Sequence, residues 1–345
     1  MKGVILTGNR QVEIREVPKP IASFGKVVIK MKIAAICGSD LHHYRRVPQP
    51  GEINYISGHE PCGIVDSVGE GVTHVVPGQR VALYHYEGCM QCRFCAAGLL
   101  HHCSSRAGFG SVKLPGSDAD YMMCNGVNVL PLPDELSLID GSFIACIAGT
   151  AYRALVRLNI NSGTSFCIYG LGPVGLTALK LAKGMTPKQI ICVDPNPNRR
   201  KMGLDNGADI VLDSNDNTIN EIMRLTDGGA ECSLETSGSA VAQRNIIDSA
   251  GHFGKVAVVG YMGLYEMNSV VTLSQLIPRE ITVFGSSVIS LSETYDLIDF
   301  MVKNDIHFDS LVTHRFPLSQ AKEAFEVCDT LNTGKVVFEF DPCII

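Results

Sequence analysis

The chain has 345 residues, 46% of them hydrophobic and 19% charged, with a formal net charge of −6. Such a composition buries a sizeable core, and at roughly 100 to 200 residues per domain the length points to two domains. The acidic balance and the scattered Lys and Arg exclude a basic stripe for a phosphate backbone, so nucleic acid is not an expected partner.

The first segment, MKGVILTGNRQVEIREVPKP, holds only a short apolar run before acidic residues follow, which is not the pattern of a signal peptide. No apolar run of about 18 residues is available to span a membrane, so the expectation is a cytoplasmic protein with no membrane partner. Residues 1 to about 125 read as β-rich. The runs KVVIKMKIAAI (26–36), GIVDSVG (63–69) and RVALYHY (80–86) are β-branched and are separated by Gly and Pro turns such as VPGQ (76–79). From about residue 147 the rhythm changes to strands alternating with helices. TSFCIYG (164–170), QIICVD (189–194), DIVLD (209–213), CSLETS (232–237), GKVAVVG (254–260) and EITVFGS (280–286) read as buried strands. PVGLTALKLAKGM (173–185), RRKMGLDNGA (199–208), NTINEIMRLT (217–226) and SAVAQRNIIDSAG (239–251) read as the helices between them. Right-handed crossovers of this kind build a doubly wound parallel sheet. The remainder, from LSETYDLIDFMVKNDI (291–306) onward, carries two helical patterns and a last strand, KVVFEF (335–340).

Gly170, Gly172 and Gly175, with Pro173 and Val174 between the last two, form G-x-G-x-x-G after a strand and at the opening of a helix. In that context the first glycine permits a tight turn, the second lets backbone approach a pyrophosphate, and the third lets helix pack on strand. The helix N-terminus then offers N–H groups to phosphates. Asp194 ends the next strand, where a carboxylate accepts from an adenosine ribose diol and repels a 2′-phosphate, so NAD(H) is preferred over NADP(H). Arg199 and Arg200 follow closely and are either surface charges or partners for a phosphate.

Thirteen cysteines are an odd number, which argues against complete pairing; in a reducing compartment they point to metal ligands and buried thiols. Cys89, Cys92, Cys95 and Cys103, in CMQCRFCAAGLLHHC, match a closed tetrahedral thiolate site for zinc. Four thiolates leave no open position, so this site is expected to be structural. A reactive metal needs a vacancy, and its candidate ligands lie apart: Cys37 in ICGSDLHH, His59 and Glu60 in SGHEPCG, and Cys146 in IACIAGTAYRAL. Two thiolates and one imidazole from these make a Cys2His zinc set.

Together these stretches resemble the zinc-dependent alcohol dehydrogenases of the medium-chain dehydrogenase/reductase superfamily, nearly end to end. GHEPCGIVDSVGEGV (58–72) is similar to the family's zinc signature, VPGQRV (76–81) to the turn after it, GLGPVG (170–175) to its nucleotide loop, and THRFPL (313–318) to its C-terminal segment. The resemblance implies an α/β protein: a GroES-like β-rich catalytic zinc-binding domain over residues 1–149 and 287–345, and a Rossmann doubly wound parallel-sheet domain that binds NAD over 150–286. It implies that Cys37, His59 and Cys146 hold a catalytic zinc, with Glu60 close behind or as a transient ligand. It implies further that Asp40 orients the His59 imidazole, that Ser39 and His42 form a proton relay, and that Cys89, Cys92, Cys95 and Cys103 hold a structural zinc. Two zinc ions per chain and a homodimer or homotetramer follow from the same resemblance.

Departures from the family pattern are equally definite. Gly38 stands where several members carry a basic residue on the pyrophosphate, and Lys335 and Arg315 are candidates to replace that contact. Gly38 is the choice of polyol and threonine dehydrogenases, which usually have a glutamate where this chain has Cys146. SDADYMM (117–123) replaces the commoner glycine-phenylalanine-alanine-glutamate-tyrosine turn. The implied chemistry is hydride transfer between a small alcohol, secondary or polyhydric, and NAD, reversible to ketone or aldehyde reduction. Zinc acts as Lewis acid, Ser39 passes the released proton through the nicotinamide ribose to His42 near solvent, and the cofactor takes the hydride. Tyr44, Tyr84 and the stretch Ser286–Ser290 are the expected pocket walls. The competing assignments are a sorbitol- or threonine-type enzyme, an NADP-dependent aromatic alcohol dehydrogenase and, from another class, a zinc-ribbon binding module.

Overall fold

The β-branched runs near the N-terminus pair into a single sheet whose hub is the longest of them. In the computed structural model, which describes residues 1–261 and 271–340, Lys26–Ala35 pairs antiparallel with Pro61–Val68, Tyr121–Asn125 and Lys335–Glu339. The sheet runs Val312–Phe316, Lys335–Glu339, Lys26–Ala35, Pro61–Val68, Arg80–Leu83, Val129–Pro131, with Tyr121–Asn125 also on the hub strand. Val27, Ile29 and Met31 from the hub join Val65, Val81, Leu83, Phe325 and Phe338 in one core. Each such side chain contributes about 1.5–3 kcal/mol on burial, which is what holds strands so distant in sequence to one another. This unit comprises residues 1–149 and the chain from Ile289 onward; the second comprises Thr150–Val288.

RVALYHY does not continue as one strand. The ladder ends at Leu83 and a short new strand, Tyr86–Glu87, pairs with Ala107–Gly108 instead. The bend between them is held by Asn128, whose side-chain amide donates to the carbonyls of both Tyr84 and Tyr86 at 2.7 Å. One side-chain amide thus satisfies two buried carbonyls that a regular ladder would have used.

Among the described residues of the second unit, six strands form one parallel sheet in the order Ile210–Leu212, Gln189–Val193, Ser165–Tyr169, Ala230–Glu235, Ala250–Val258, Thr282–Gly285. The first three run outward one way and the last three the other, so the order reverses beside Ser165–Tyr169, the strand that feeds the glycine loop. In open parallel sheets ligands bind at such a switch point, outside the carboxyl ends of the strands. Cys167, Tyr169, Ile191, Val193, Ile246 and Val256 form its core. Among the described residues, no single helix is long and apolar enough to cross a membrane.

Candidate active site

Cys37 lies just beyond the hub strand Lys26–Ala35, where the chain turns into the short helix Asp40–Arg45. The turn closes on itself: the Cys37 N–H donates to Asp40 Oδ2 at 2.9 Å, and the Asp40 N–H donates to the Cys37 carbonyl at 3.0 Å. His59 and Glu60 immediately precede the neighbouring strand, and the Ala35 N–H donates to the Glu60 carbonyl at 3.1 Å, which sets them beside Cys37. Cys146 sits between the helices Leu138–Ile144 and Ile147–Leu158. The first is started by a capping box in which Ser137 and Asp140 exchange hydrogen bonds, and the buried Asp140 also accepts from the Phe308 N–H at 2.8 Å. As a result one ligating atom from each of Cys37, His59, Glu60 and Cys146 falls within 4.8 Å of the others.

The geometry assigns the imidazole. His59 Nδ1 is 3.1 Å from Asp40 Oδ1, so Nδ1 carries the proton and Nε2 keeps a lone pair. Ser39 Oγ is 3.4 Å from that Nε2, and His42 is exposed on the same short helix. Cys146 holds the Cys37 thiol well below its usual value by sharing its proton, burial working against this, while Cys146 itself is pushed up by the same contact. Burial pushes Glu60 up to about 8, and the adjacent Lys335 ammonium opposes the rise. Glu60 and Lys335 are both fully buried and lie 2.5 Å apart, yet they are not aligned as a hydrogen bond; no other hydrogen bond completes either group among the described residues. A buried carboxylate with unsatisfied oxygens beside two thiols and an oriented imidazole is the donor set of a borderline-soft divalent cation, and zinc fits it.

This places Lys335 differently from the sequence expectation. An ammonium 1% exposed and held against Glu60 is not a pyrophosphate contact. Arg315 is paired with Asp309 and Glu339, each at 3.5 Å, near the surface. Gly38 has no heavy atom within 4 Å of where a Cβ would stand, so its backbone borders open space.

The four-cysteine loop forms a second cluster. Cys92 Sγ is 3.6 Å and Cys89 Sγ 4.0 Å from Cys95 Sγ, and the Cys89 N–H donates to Cys103 Sγ at 3.4 Å. A tetrahedron with Zn–S of about 2.3 Å has edges of about 3.8 Å, which these separations bracket. Disulfides are excluded, since S–S bonds are about 2.05 Å long, and every described cysteine is a free thiol. Cys343 lies outside the described residues.

In the glycine loop the three glycines answer to three different constraints. Gly170 has φ +96°, a region that other residues rarely adopt. At Gly175 a Cβ would stand 1.9 Å from the Gly170 carbonyl oxygen. Gly172 opens toward space, with only an Arg199 guanidinium nitrogen at 4.0 Å, and it leads into the helix Pro173–Gly184 with Pro173 and Val174 in its first turn. Asp194 has a part that its position in the sequence did not suggest. Its carboxylate accepts from the Leu171 N–H at 2.7 Å and the Asn196 N–H at 2.8 Å, tying the loop to the end of the second strand. Arg200 is engaged by the Asp194 and Pro195 carbonyls and Asp213 at 2.8, 2.9 and 3.0 Å. Arg199 is therefore the arginine that faces the loop.

Of the expected pocket walls, Tyr44, Tyr84 and Ser290 are engaged in the fold itself. Tyr44 is buried against Phe325, ring centroids 5.5 Å apart. The Tyr84 hydroxyl donates to the Ile289 carbonyl and meets His101 Nδ1, both at 2.9 Å. Ser290 caps the helix Leu291–Lys303. Two other residues lie near the cluster, and nothing in the sequence singles out either. His85, in the bend held by Asn128, has its ring centroid 5.6 Å from that of His59. Asp118, in the unusual turn SDADYMM, is fully buried behind Gly58, accepts from Ser57 Oγ at 2.8 Å, and is pushed up to about 7 by burial and by Asp40.

Residues 173–303 match the family of zinc-binding dehydrogenases, and residues 23–134 match the alcohol dehydrogenase GroES-like domain. The uncharacterized zinc-type alcohol dehydrogenase-like protein YphC of Escherichia coli (strain K12) is 34% identical over 99% of both chains. L-threonine 3-dehydrogenase of Francisella tularensis is 30% identical over 95% of both. Among solved structures, alcohol dehydrogenase TADH from Thermus sp. ATN1 superposes with a TM-score of 0.90 at 25% identity, covering 98% of this chain and 99% of that one. The 2R,3R-butanediol dehydrogenase from Bacillus subtilis gives 0.87 at 25% identity, covering 98% and 99%. With the GroES-like β domain and the parallel Rossmann sheet both in place, the chain is an oxidoreductase that belongs to the zinc-type alcohol dehydrogenases of the medium-chain dehydrogenase/reductase superfamily.

Proposed function

We propose that the protein is an NAD-dependent zinc alcohol dehydrogenase that moves a hydride between the carbinol carbon of a small secondary alcohol or polyol and NAD, and in reverse reduces the ketone or aldehyde. The observation that carries this reading is the convergence of Cys37, His59, Glu60 and Cys146 on one point. Zinc held there supplies Lewis-acid chemistry, drawing the pKa of an alcohol hydroxyl toward neutrality. NAD supplies the hydride acceptor. Cys37, Cys146 and the Asp40-oriented His59 hold the metal, with Glu60 behind it. Ser39, beside His59 Nε2, accepts the proton of the substrate hydroxyl, and the exposed His42 delivers it to solvent. The backbone around Gly172 and the N-terminus of the helix Pro173–Gly184 receive the pyrophosphate, bordered by Arg199. An ionised carboxyl has about four acceptor sites, so Asp194 takes the ribose diol alongside its two backbone amides. The four-cysteine loop holds a second zinc with no open position. Reduced thiols in both clusters suit a cytoplasmic protein, and the family resemblance favours a homodimer or homotetramer.

Absorbance of NADH during oxidation of a panel of primary, secondary and polyhydric alcohols tests this function. Zinc-loaded protein inactive on all of them overturns it. The Asp194 carboxylate should favour NAD over NADP by at least roughly a hundredfold in kcat/KM, because placing like charges together costs several kcal/mol. Equal use of the two coenzymes would remove Asp194 from the ribose site. Ser39→Ala should lower turnover by roughly a hundredfold or more while zinc content stays at the wild-type level. Unchanged turnover, with the hydride step shown by a deuterated alcohol to be rate-limiting, would rule out Ser39 as the proton acceptor.

A further inference from the structure

His85 takes no part in holding the metal, yet the fold goes to some length to aim it. The Asn128 amide bridges the carbonyls on either side of it, and its ring lies beside that of His59. Its Nδ1 is hydrogen-bonded to the carbonyl of Ala145, the residue before Cys146. A carbonyl oxygen only accepts, so Nδ1 carries the hydrogen. The ring is 4% exposed, and its hydrogen-bond partner is a neutral carbonyl rather than a carboxylate, so burial favours the uncharged imidazole with its one hydrogen on Nδ1. Nε2 is therefore a bare acceptor, and among the described residues it has no hydrogen-bond partner. An acceptor left open on an otherwise buried ring is available to water or to a ligand hydroxyl.

The geometry points to His85 Nε2 as the acceptor for a second substrate hydroxyl, on the carbon next to the one that reacts, which makes vicinal diols and polyols the preferred substrate class. This rests on the proposed reaction at the neighbouring ligand cluster. The adjacency of the two imidazole rings calls for oxygens on adjacent carbons rather than at the two ends of a long chain. An acceptor also discriminates in a particular way: it takes a hydroxyl, which donates, and gains nothing from an ether oxygen, which does not. A site built to bond a hydroxyl rejects the analogue that lacks it more strongly than an apolar pocket rejects a missing methylene.

The test compares propylene glycol with its methyl ether on the primary oxygen, both oxidised at the same secondary carbon, with butan-2-ol as the simple alkanol. In the zinc-loaded wild type, kcat/KM for the glycol should exceed that for the ether and the alkanol by roughly tenfold or more. His85→Phe, which keeps a ring of similar size, should bring the three substrates to within about twofold by losing the glycol advantage alone. Equal kcat/KM for glycol and ether in the wild type overturns the inference, and needs no variant. So does a variant that keeps the ratio, or one that loses activity on all three alike, which is what a merely structural histidine would do. Protein that oxidises none of the three with either coenzyme, at full zinc content, overturns the proposed function, and this inference with it.

Discussion

Cys146→Ala should lower turnover by at least roughly a thousandfold and reduce zinc from two ions per chain to one, with the far-ultraviolet circular dichroism unchanged. The residue contributes its thiol from a break between two helices, and its Sγ is one of four ligating atoms within a 4.8 Å spread. Removing it takes away the partner that shares a proton with Cys37 and holds that thiol low. What remains is Cys37, His59 and the Glu60 carboxylate, which is also engaged by Lys335. Three mixed ligands, one of them already neutralised, are a poor substitute for a set with two thiolates. The helices on either side keep their own anchors, including the Ser137–Asp140 capping box and the Asp140 bond to Phe308, so the fold is not the casualty. Metal analysis together with turnover decides the matter: a variant that keeps wild-type turnover at one zinc per chain would move the chemistry away from this cluster.

The opposite pattern is expected at the other cluster. Cys95→Ser should lower the melting temperature by about 10 °C or more, corresponding to several kcal/mol, while folded protein retains turnover near the wild-type value. Between Cys89 and Cys103 the chain has only a four-residue helix, Arg93–Ala96, and a short 3-10 turn, Leu100–His102. So little regular structure is a weak hold on a fifteen-residue loop, and on the proposed reading a bound metal would supply the rest. Cys95 and Cys103 are buried in that loop, and a side chain at Gly88 would stand 2.6 Å from Cys95 Sγ. The Cys95 and Cys103 thiols are therefore enclosed by the loop, within reach of those of Cys89 and Cys92. Calorimetry with and without chelator, alongside turnover of the folded fraction, separates the two clusters. If Cys95→Ser left melting unchanged but abolished turnover, the loop would be the reactive site.

The features legible in the sequence share one property: they are short. G-x-G-x-x-G after a strand, four cysteines within fifteen residues and the alternation of strands with helices each lie within a few turns of chain. Local sterics and spacing constrain such features directly, as the φ of Gly170 and the contact at Gly175 show. The features that were not legible are the long-range ones. Lys335 reads as a candidate pyrophosphate contact in KVVFEF, but the pairing of its strand with Lys26–Ala35 buries it against Glu60. RVALYHY reads as one strand with one expected wall residue, Tyr84. Asn128, more than forty positions on, breaks it and makes the intervening His85 the residue beside His59.

By itself the sequence determined the two-unit logic of the molecule: a β-rich unit with dispersed cysteine and histidine candidates, a parallel αβ unit with a glycine-rich loop after its first strand, and a cysteine-rich loop. Periodicity, glycine sterics and ligand spacing are properties of neighbours along the chain, and they survive without a fold. Only the tertiary structure decided which carboxylate meets which cation, which imidazole nitrogen carries a proton, and which of three consecutive aromatic residues lies beside His59. Those outcomes depend on burial and on hydrogen bonds between residues tens to hundreds of positions apart, where a displacement of one position or about 1 Å changes the partner.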